Sequence, residues 1–125
     1  MRRMRGWWLA AAAALLLAGC TRPVRAPAAQ EVSVYVRAPY VELANTGRHP
    51  VYYFIAAEST LAAWALCDEP TGCAGLAPGE RRRVHYREIA GWEPGETGAT
   101  LFFWRFSRTP EGFRRERLRQ QALRL

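Results

Sequence analysis

Short runs of β-branched and aromatic residues, separated by turns that contain Gly or Pro, constrain the fold of this 125-residue chain more than any other feature. Valine occupies every second position within residues 32–37, which is the period of a strand with one buried face. Further runs of this kind lie at residues 41–44, 51–57, 81–86 and 99–106. The pattern predicts an all-β domain, a small antiparallel sandwich.

Two of the turn strings resemble those of a known class of domain. One is Asn45-Thr46-Gly47 between two strand-like runs, and the other is Pro78-Gly79 before the run at residues 81–86. Both resemble the turn strings of bacterial immunoglobulin-like extracellular domains. The resemblance implies an immunoglobulin-like sandwich and brings no catalytic residue with it.

Two segments depart from the strand pattern. Residues 59–66 are rich in Ala and Leu, and Ser59 or Thr60 is available as an N-cap, so we expect one short helical turn there. Residues 107–125 combine six arginines with apolar residues at loosely helical spacing. For this basic C-terminal tail two interpretations stay open, an amphipathic C-terminal helix or a solvated end.

The N-terminal residues have the layout of a secretion signal. Three arginines lie within the first five positions, and residues 7–18 are apolar and uncharged. Such an order of charge and apolar run is typical of a signal peptide. The apolar run is shorter than the roughly 20 residues that span a bilayer as a helix, so we expect a signal and not a stable membrane span.

This apolar run closes with a motif that carries a second resemblance, Leu17-Ala18-Gly19-Cys20. It resembles the lipobox of bacterial lipoproteins, in which small residues precede a cysteine that is acylated and becomes the first residue after cleavage. The resemblance implies that Cys20 attaches the chain to the membrane through lipid. Because position 21 is Thr and not Asp, it also implies the outer membrane, facing the periplasm. The alternative is an ordinary thiol at Cys20.

These patterns divide the chain into four parts. We expect a lipoprotein signal peptide at residues 1–19 and a lipid-anchored flexible tether at residues 20–30, where Pro, Ala and Arg prevail. The β-sandwich domain is expected at residues 31–106 and the basic tail at residues 107–125.

The formal charge of +7 is distributed unevenly. Residues 31–106 have a net charge near −2, whereas residues 107–125 have a net charge of +4. A nucleic-acid-binding domain would place its positive charge on the folded domain. We therefore expect no nucleic acid as a partner.

Cys67 and Cys73 form an even pair in a chain with a signal for export. In an oxidising compartment such a pair predicts a disulfide, and Pro70 and Gly72 allow the intervening loop to fold back. A zinc site with His85 or Asp68 is the alternative, but four ligands at metal-like spacing are absent from the sequence. We expect a disulfide and no metal.

The sequence offers little for catalysis. His49 and His85 are the only imidazoles, and there is neither a Gly-x-Ser-x-Gly turn nor a phosphate-binding glycine loop. We therefore expect no enzymatic activity, no cofactor and no small-molecule substrate.

Two sets of residues are candidates for an interaction surface. Aromatic residues occupy both faces of the runs at residues 51–57 and 99–106, so either one face is covered or an aromatic strip that includes Tyr53 and Phe103 is exposed. The second set lies in the basic tail: Arg114, Arg115, Arg117 and Arg119. The sequence thus predicts a non-enzymatic, membrane-anchored envelope lipoprotein that binds a protein or has a structural role. The alternative is binding of peptidoglycan or anionic lipid through the tail.

Overall fold

A computed structural model describes residues 31–63 and 65–125, except for the side chains of residues 61–63. The predicted signal peptide, Cys20 and the predicted tether lie outside the described residues. Within them the chain forms seven strands, three 3-10 helices and no α-helix. The strands are β1 Val32–Arg37, β2 Tyr40–Asn45, β3 Val51–Ala57, β4 Ala74–Leu76, β5 Arg81–His85, β6 Gly98–Thr109 and β7 Gly112–Arg124. The 3-10 helices are Glu58–Ala63, Pro70–Gly72 and Tyr86–Glu88.

The strands form two antiparallel sheets in a sandwich-like arrangement. One sheet has the order β1-β2-β5 and the other β4-β3-β6-β7. The all-β prediction is confirmed. The runs at residues 32–37 and 51–57 have the bounds of β1 and β3, and the other three runs differ from their strands by at most three residues at either end.

The core lies where the inward side chains of both sheets meet. The three-stranded sheet contributes Val41 and Leu43, and the four-stranded sheet contributes Ile55, Leu101 and Leu123, all of them buried. Val41, Leu43 and Leu101 alternate with half-buried neighbours along their strands, because successive side chains of a strand point to opposite faces. The period of two therefore positions both the core and the outer faces.

The expected helical turn and the C-terminal helix have different outcomes. Residues Glu58–Ala63 do form a 3-10 helix. The prediction of a C-terminal helix is wrong, because residues Gly112–Arg124 form β7, which pairs with β6 from one end of β6 to the other. This pairing satisfies the backbone of β6 and buries Leu123, whereas Phe113 and Leu118, on which the helical spacing rested, are exposed.

The β6–β7 hairpin is longer than the sheet that it belongs to. β3 pairs with β6 only from Ala99 to Trp104. Residues 105–109 of β6 pair with β7 alone. The hairpin therefore extends beyond the register of β3.

Candidate functional site

Tyr53 and Phe103, two of the predicted interaction residues, do not lie on a surface. They are opposite each other in the β3–β6 register, and their exposed fractions are 9% and 5%. The Tyr53 hydroxyl accepts a hydrogen bond from Arg82 Nη1 at 3.4 Å, so its polar atom has a partner within the protein. The prediction of an interaction surface at these two residues is wrong, because their faces of the strands form the core.

The opposite face of β3 and β6 also uses its aromatic residues for packing. Trp104 is buried, with an exposed fraction of 1%. The centroid of the Phe106 ring lies 4.9 Å from that of Tyr52 and 6.3 Å from that of Trp104, and both pairs of rings meet edge-on. Edge-to-face contacts of this kind stabilise a structure beyond the area that they bury. These aromatic residues therefore pack within the protein.

The predicted arginines of the tail lie along β7, which is an edge strand of the four-stranded sheet. Arg114 donates a hydrogen bond to Glu116 Oε1 at 3.0 Å, and Ser107 donates to the same oxygen at 2.9 Å. These bonds, that of Arg114 foremost, hold the pKa of Glu116 below its ordinary value. Arg117 Nη1 lies 3.7 Å from Glu31 Oε1, and Arg119 is exposed opposite Phe103 in the register.

Arg115 has a structural role in the cysteine loop. The predicted disulfide is confirmed, since Cys67 and Cys73 are bonded with a Cα–Cα distance of 5.8 Å. Arg115 Nη1 donates to the carbonyls of Leu66 and Cys67, each at 3.0 Å. It also pairs with Asp68 Oδ1 at 2.9 Å. One guanidinium thus connects β7 to the disulfide loop.

The outer face of the three-stranded sheet is a different surface, and it was not predicted from the sequence. We call it the tyrosine–arginine face. In the register of the sheet its residues form three rows across β1, β2 and β5. They are Ser33, Ala44 and Arg81 in the first row, Tyr35, Glu42 and Arg83 in the second, and Arg37, Tyr40 and His85 in the third.

Ion pairs and ring contacts order the middle of this face. Glu42 lies between two cations, 3.7 Å from Arg37 and 3.6 Å from Arg83. The Arg83 guanidinium also lies over the Tyr40 ring, 4.0 Å from its centroid, in cation–π geometry. The His85 ring meets the same Tyr40 ring edge-on at 5.2 Å. These contacts connect side chains of β1, β2 and β5 across the face.

The first row forms a depression beside this ordered group. Ser33 and Ala44 are small, and they lie between Tyr35 and Arg81, which are both exposed. The resulting groove has a volume of about 620 Å³, within the range of ordinary ligand sites. Tyr35 has an exposed fraction of 61%. The groove thus combines an exposed aromatic ring and a cation with a floor of small residues.

The face has a net positive charge, because Arg37, Arg81 and Arg83 outnumber the one carboxylate, Glu42. Guanidinium groups bind carboxylates through paired hydrogen bonds. The sequence predicts a strand at residues 81–86, and within a strand Arg81, Arg83 and His85 share one side. It gave no sign that Tyr35 and Ala44 lie beside them, because that follows from pairing with β1 and β2.

The two histidines are tied to the backbone. His85 Nδ1 accepts a hydrogen bond from the Arg87 N–H at 3.1 Å and thereby caps the 3-10 helix Tyr86–Glu88. The carbonyl of His49 accepts one from Asn45 Nδ2 at 2.8 Å. No group of three or more His, Cys, Asp or Glu side chains suited to a metal ion occurs among the described residues. Nor does any helix there have the length and apolar character needed to cross a membrane.

Comparisons of this chain with protein-family models, with curated proteins and with solved structures returned no match.

Proposed function

We propose that this chain is a lipid-anchored lipoprotein of the bacterial envelope and that its domain is a non-enzymatic module which binds an acidic protein partner. The anchor is Cys20, and the compartment is the periplasm, at the outer membrane. The lipobox residues and the preceding signal-like run support the anchor. The disulfide between Cys67 and Cys73 supports an oxidising compartment.

One observation carries the binding proposal, the composition and order of the tyrosine–arginine face. Tyr and Arg are the side chains that contribute most binding energy at protein interfaces. Here Tyr35 and Arg81 are exposed at the groove, while Arg83 is already held against Tyr40. A preordered surface binds with a smaller loss of side-chain entropy. The excess of arginine selects a partner with surface carboxylates.

The immunoglobulin-like character of the domain belongs to the same proposal. The turn strings at Asn45-Thr46-Gly47 and Pro78-Gly79 support it, and the two antiparallel sheets agree with it. An outer sheet face suits binding, because a rigid sheet holds its outward side chains in fixed rows.

Site-specific photocrosslinking in cells tests the binding proposal. A photoreactive residue at position 35 should give a light-dependent adduct with one envelope protein, and the same residue at exposed position 120, on the other sheet, should not. The double change Arg81→Glu and Arg83→Glu should abolish the adduct, because it reverses the charge of the face. The control Arg87→Glu, just beyond the end of β5, should retain it.

Two outcomes would contradict the proposal. One is the same adduct from positions 35 and 120, which would show contact without a defined face. The other is an adduct that survives the double charge reversal in a protein whose thermal unfolding is unchanged.

A second candidate function is binding of the cell wall or of anionic lipid through residues 107–125. The observation that favours it is the projection of the β6–β7 hairpin beyond β3 with several arginines exposed.

A further inference from the structure

The part of the hairpin beyond β3, residues 105–117, is a separate structural feature, and we call it the hairpin arm. It contains five arginines and two glutamates, so its net charge is +3. The rest of the described domain includes all the other acidic residues of the chain. Outside the arm the described range has eight arginines and nine acidic residues, so the arm is the more basic part of the domain.

The hairpin arm is held in a defined position. Within it the Phe106 ring lies 6.1 Å from the Phe113 ring, and at its base the Phe106 ring meets Tyr52 of β3 at 4.9 Å. Arg115 fastens it to the disulfide loop through the carbonyls of Leu66 and Cys67. A surface that is already ordered loses little conformational entropy on docking.

The exposed residues of the hairpin arm are four arginines together with Pro110, Glu111 and Phe113. Arg114 and Arg117 have side-chain exposures of 70% and 64%, and Arg108 is exposed as well. Phe113 has an exposed fraction of 42%, and the Arg108 guanidinium lies 5.8 Å from its ring centroid. Arg108 lies on the same side of the hairpin as Phe113, whereas Arg114 lies on the other side with Glu116. Arginines and aromatic rings are side chains that settle at the headgroup level of an anionic bilayer.

The N-terminal end of the described domain lies at the base of the hairpin arm. Glu31, the first described residue, forms an ion pair with Arg105 and accepts a hydrogen bond from its Nε at 3.0 Å. The segment from Cys20 to Glu31 spans at most about 40 Å when fully extended. A lipid anchor at Cys20 therefore keeps the base of the hairpin arm close to the membrane.

We infer that the hairpin arm docks on the anionic lipid surface to which the chain is anchored. Arg108, Arg114 and Arg117 bind lipid phosphates, and Phe113 enters the interface between headgroups and acyl chains. This inference specifies anionic lipid as the ligand in the second candidate function. It rests on the proposed anchor at Cys20, which would orient the domain with the arm toward the membrane. Docking would turn the opposite end of the sandwich away from the bilayer.

Vesicle sedimentation tests this inference without any contribution from acyl chains. The full mature chain, residues 20–125 with Cys20→Ser, is mixed with vesicles of phosphatidylcholine and phosphatidylglycerol, and separately with vesicles of phosphatidylcholine alone. Binding is expected only to the anionic vesicles and is expected to weaken with salt. The triple change Arg108→Gln, Arg114→Gln and Arg117→Gln should reduce binding about tenfold or more, since each arginine near an anionic surface contributes favourably.

A matched control removes the same charge elsewhere. The arm pair Arg108→Gln and Arg114→Gln is compared with the pair Arg87→Gln and Arg124→Gln. Arg87 and Arg124 are exposed, and Arg124 pairs with Gly98 at the end of β7 opposite the arm. The control pair should leave vesicle binding within about twofold, because charges beyond the Debye length of roughly 10 Å contribute weakly. The single change Phe113→Ser should weaken binding with no change in charge.

Three results would overturn the inference. They are equal losses in the arm pair and the control pair, no binding to anionic vesicles in low salt, and capture by purified peptidoglycan in place of vesicles. The proposed anchor is tested separately, by fatty-acid labelling at Cys20. Binding through the tyrosine–arginine face is tested by the crosslink at position 35.

Discussion

Asn45 is the polar side chain that the described core buries, with an exposed fraction of 1%. Its Nδ2 donates to the carbonyls of His49 at 2.8 Å and Leu76 at 3.0 Å. Its Oδ1 accepts from the Gly47 N–H at 2.9 Å. One side chain thus joins the end of β2 to the following turn and to β4 in the other sheet, and all its polar atoms are satisfied as burial requires.

We expect Asn45→Asp to lower the free energy of unfolding by about 2 to 4 kcal/mol at neutral pH. The carboxylate retains the bond from Gly47 but cannot donate to the two carbonyls, and its charge is buried beside them. Urea unfolding measures the change. The loss should shrink in acid, where a protonated carboxyl regains one donor. Gln120→Glu, the corresponding change at an exposed position, should be nearly neutral, and equal effects of the two substitutions would contradict this account of Asn45.

Glu116 supplies a pH-dependent contribution to stability. Because the bonds from Arg114 and Ser107 hold its pKa below the ordinary value in the folded protein, the ionised form is favoured by folding. The contribution is present above the pKa of the unfolded chain and is lost as the pH falls through the lowered, folded pKa. It therefore acts at neutral pH and disappears in acid.

We expect Arg114→Gln to raise the pKa of Glu116 toward its ordinary value, because Arg114 is the largest cause of the shift. Titration of the Glu116 side-chain carbon by NMR measures it. Arg87→Gln, at a distant exposed position, is the control and should leave the titration unchanged. An identical curve for the wild type and Arg114→Gln would show that the bond to Arg114 has no such effect.

At the scale of the element, β7 is an edge strand with a bulge. Phe103 pairs with Arg119 but Arg105 pairs with Glu116, so Arg117 and Leu118 both lie opposite Trp104. Arg117 has a φ of 54°, in the left-handed region that favours glycine. Bulges and charged side chains both hinder the pairing of an exposed edge with another chain.

We expect Arg117→Gly to raise the free energy of unfolding by about 0.5 to 1 kcal/mol and Arg117→Val to lower it by about 1 to 2 kcal/mol. The exposed ion pair with Glu31 that both variants lose contributes little. Arg114, which lies in the regular part of β7, is the matched control. There Gly should be the worse of the two replacements. Thermal or urea unfolding decides, and the same ranking at both positions would contradict the role given to the bulge.

The disulfide loop is a second element with a measurable contribution. Its cysteines are six positions apart. Closing so short a loop lowers the entropy of the unfolded chain and thereby raises the free energy of unfolding by about 2 kcal/mol. We expect Cys67→Ser with Cys73→Ser to lower the free energy of unfolding by about that amount. A reducing agent should destabilise the wild type and leave this double variant unchanged. Equal sensitivity of the two proteins to reduction would contradict the assignment.

The strands that could be predicted from the sequence are those with one buried face. β1 alternates valines with more exposed residues, so its periodicity is visible in the sequence. β3 has no such alternation and could be predicted from its β-branched and aromatic residues. β7 could not be found in this way, because Leu123 is its one buried residue and an edge strand with little burial has no period of two. β4 has three residues, too few for any pattern.

The tyrosine–arginine face could not be predicted from the sequence, for a different reason. Ala44 and Arg81 are adjacent in the sheet but far apart in the chain, and Ser33 and Tyr35 join them only through the β1–β2 register. Residue patterns indicate which side of a strand a residue occupies. They do not indicate which strand is its neighbour, so the rows of the tyrosine–arginine face required the sheet topology.

At the scale of the whole molecule, two surfaces with different chemistry lie on one small domain. The tyrosine–arginine face covers the outside of the three-stranded sheet, and the hairpin arm extends from the four-stranded sheet. Both have positive charge, while the remaining surface is acidic on balance. In these proposals the arm faces the lipid and the sheet face stays open to a protein partner, an arrangement that depends on a membrane anchor at Cys20, eleven positions before Glu31.

Metabolic labelling with a tagged fatty acid tests that anchor most directly. Three forms of the full-length chain are compared in a bacterial host: the wild type, Cys20→Ser, and the double variant Cys67→Ser and Cys73→Ser. The account predicts label in the wild type and in the double variant, because only Cys20 is acylated, and none in Cys20→Ser. Equal labelling of the wild type and Cys20→Ser would contradict the account, and with it the proposed orientation of the hairpin arm.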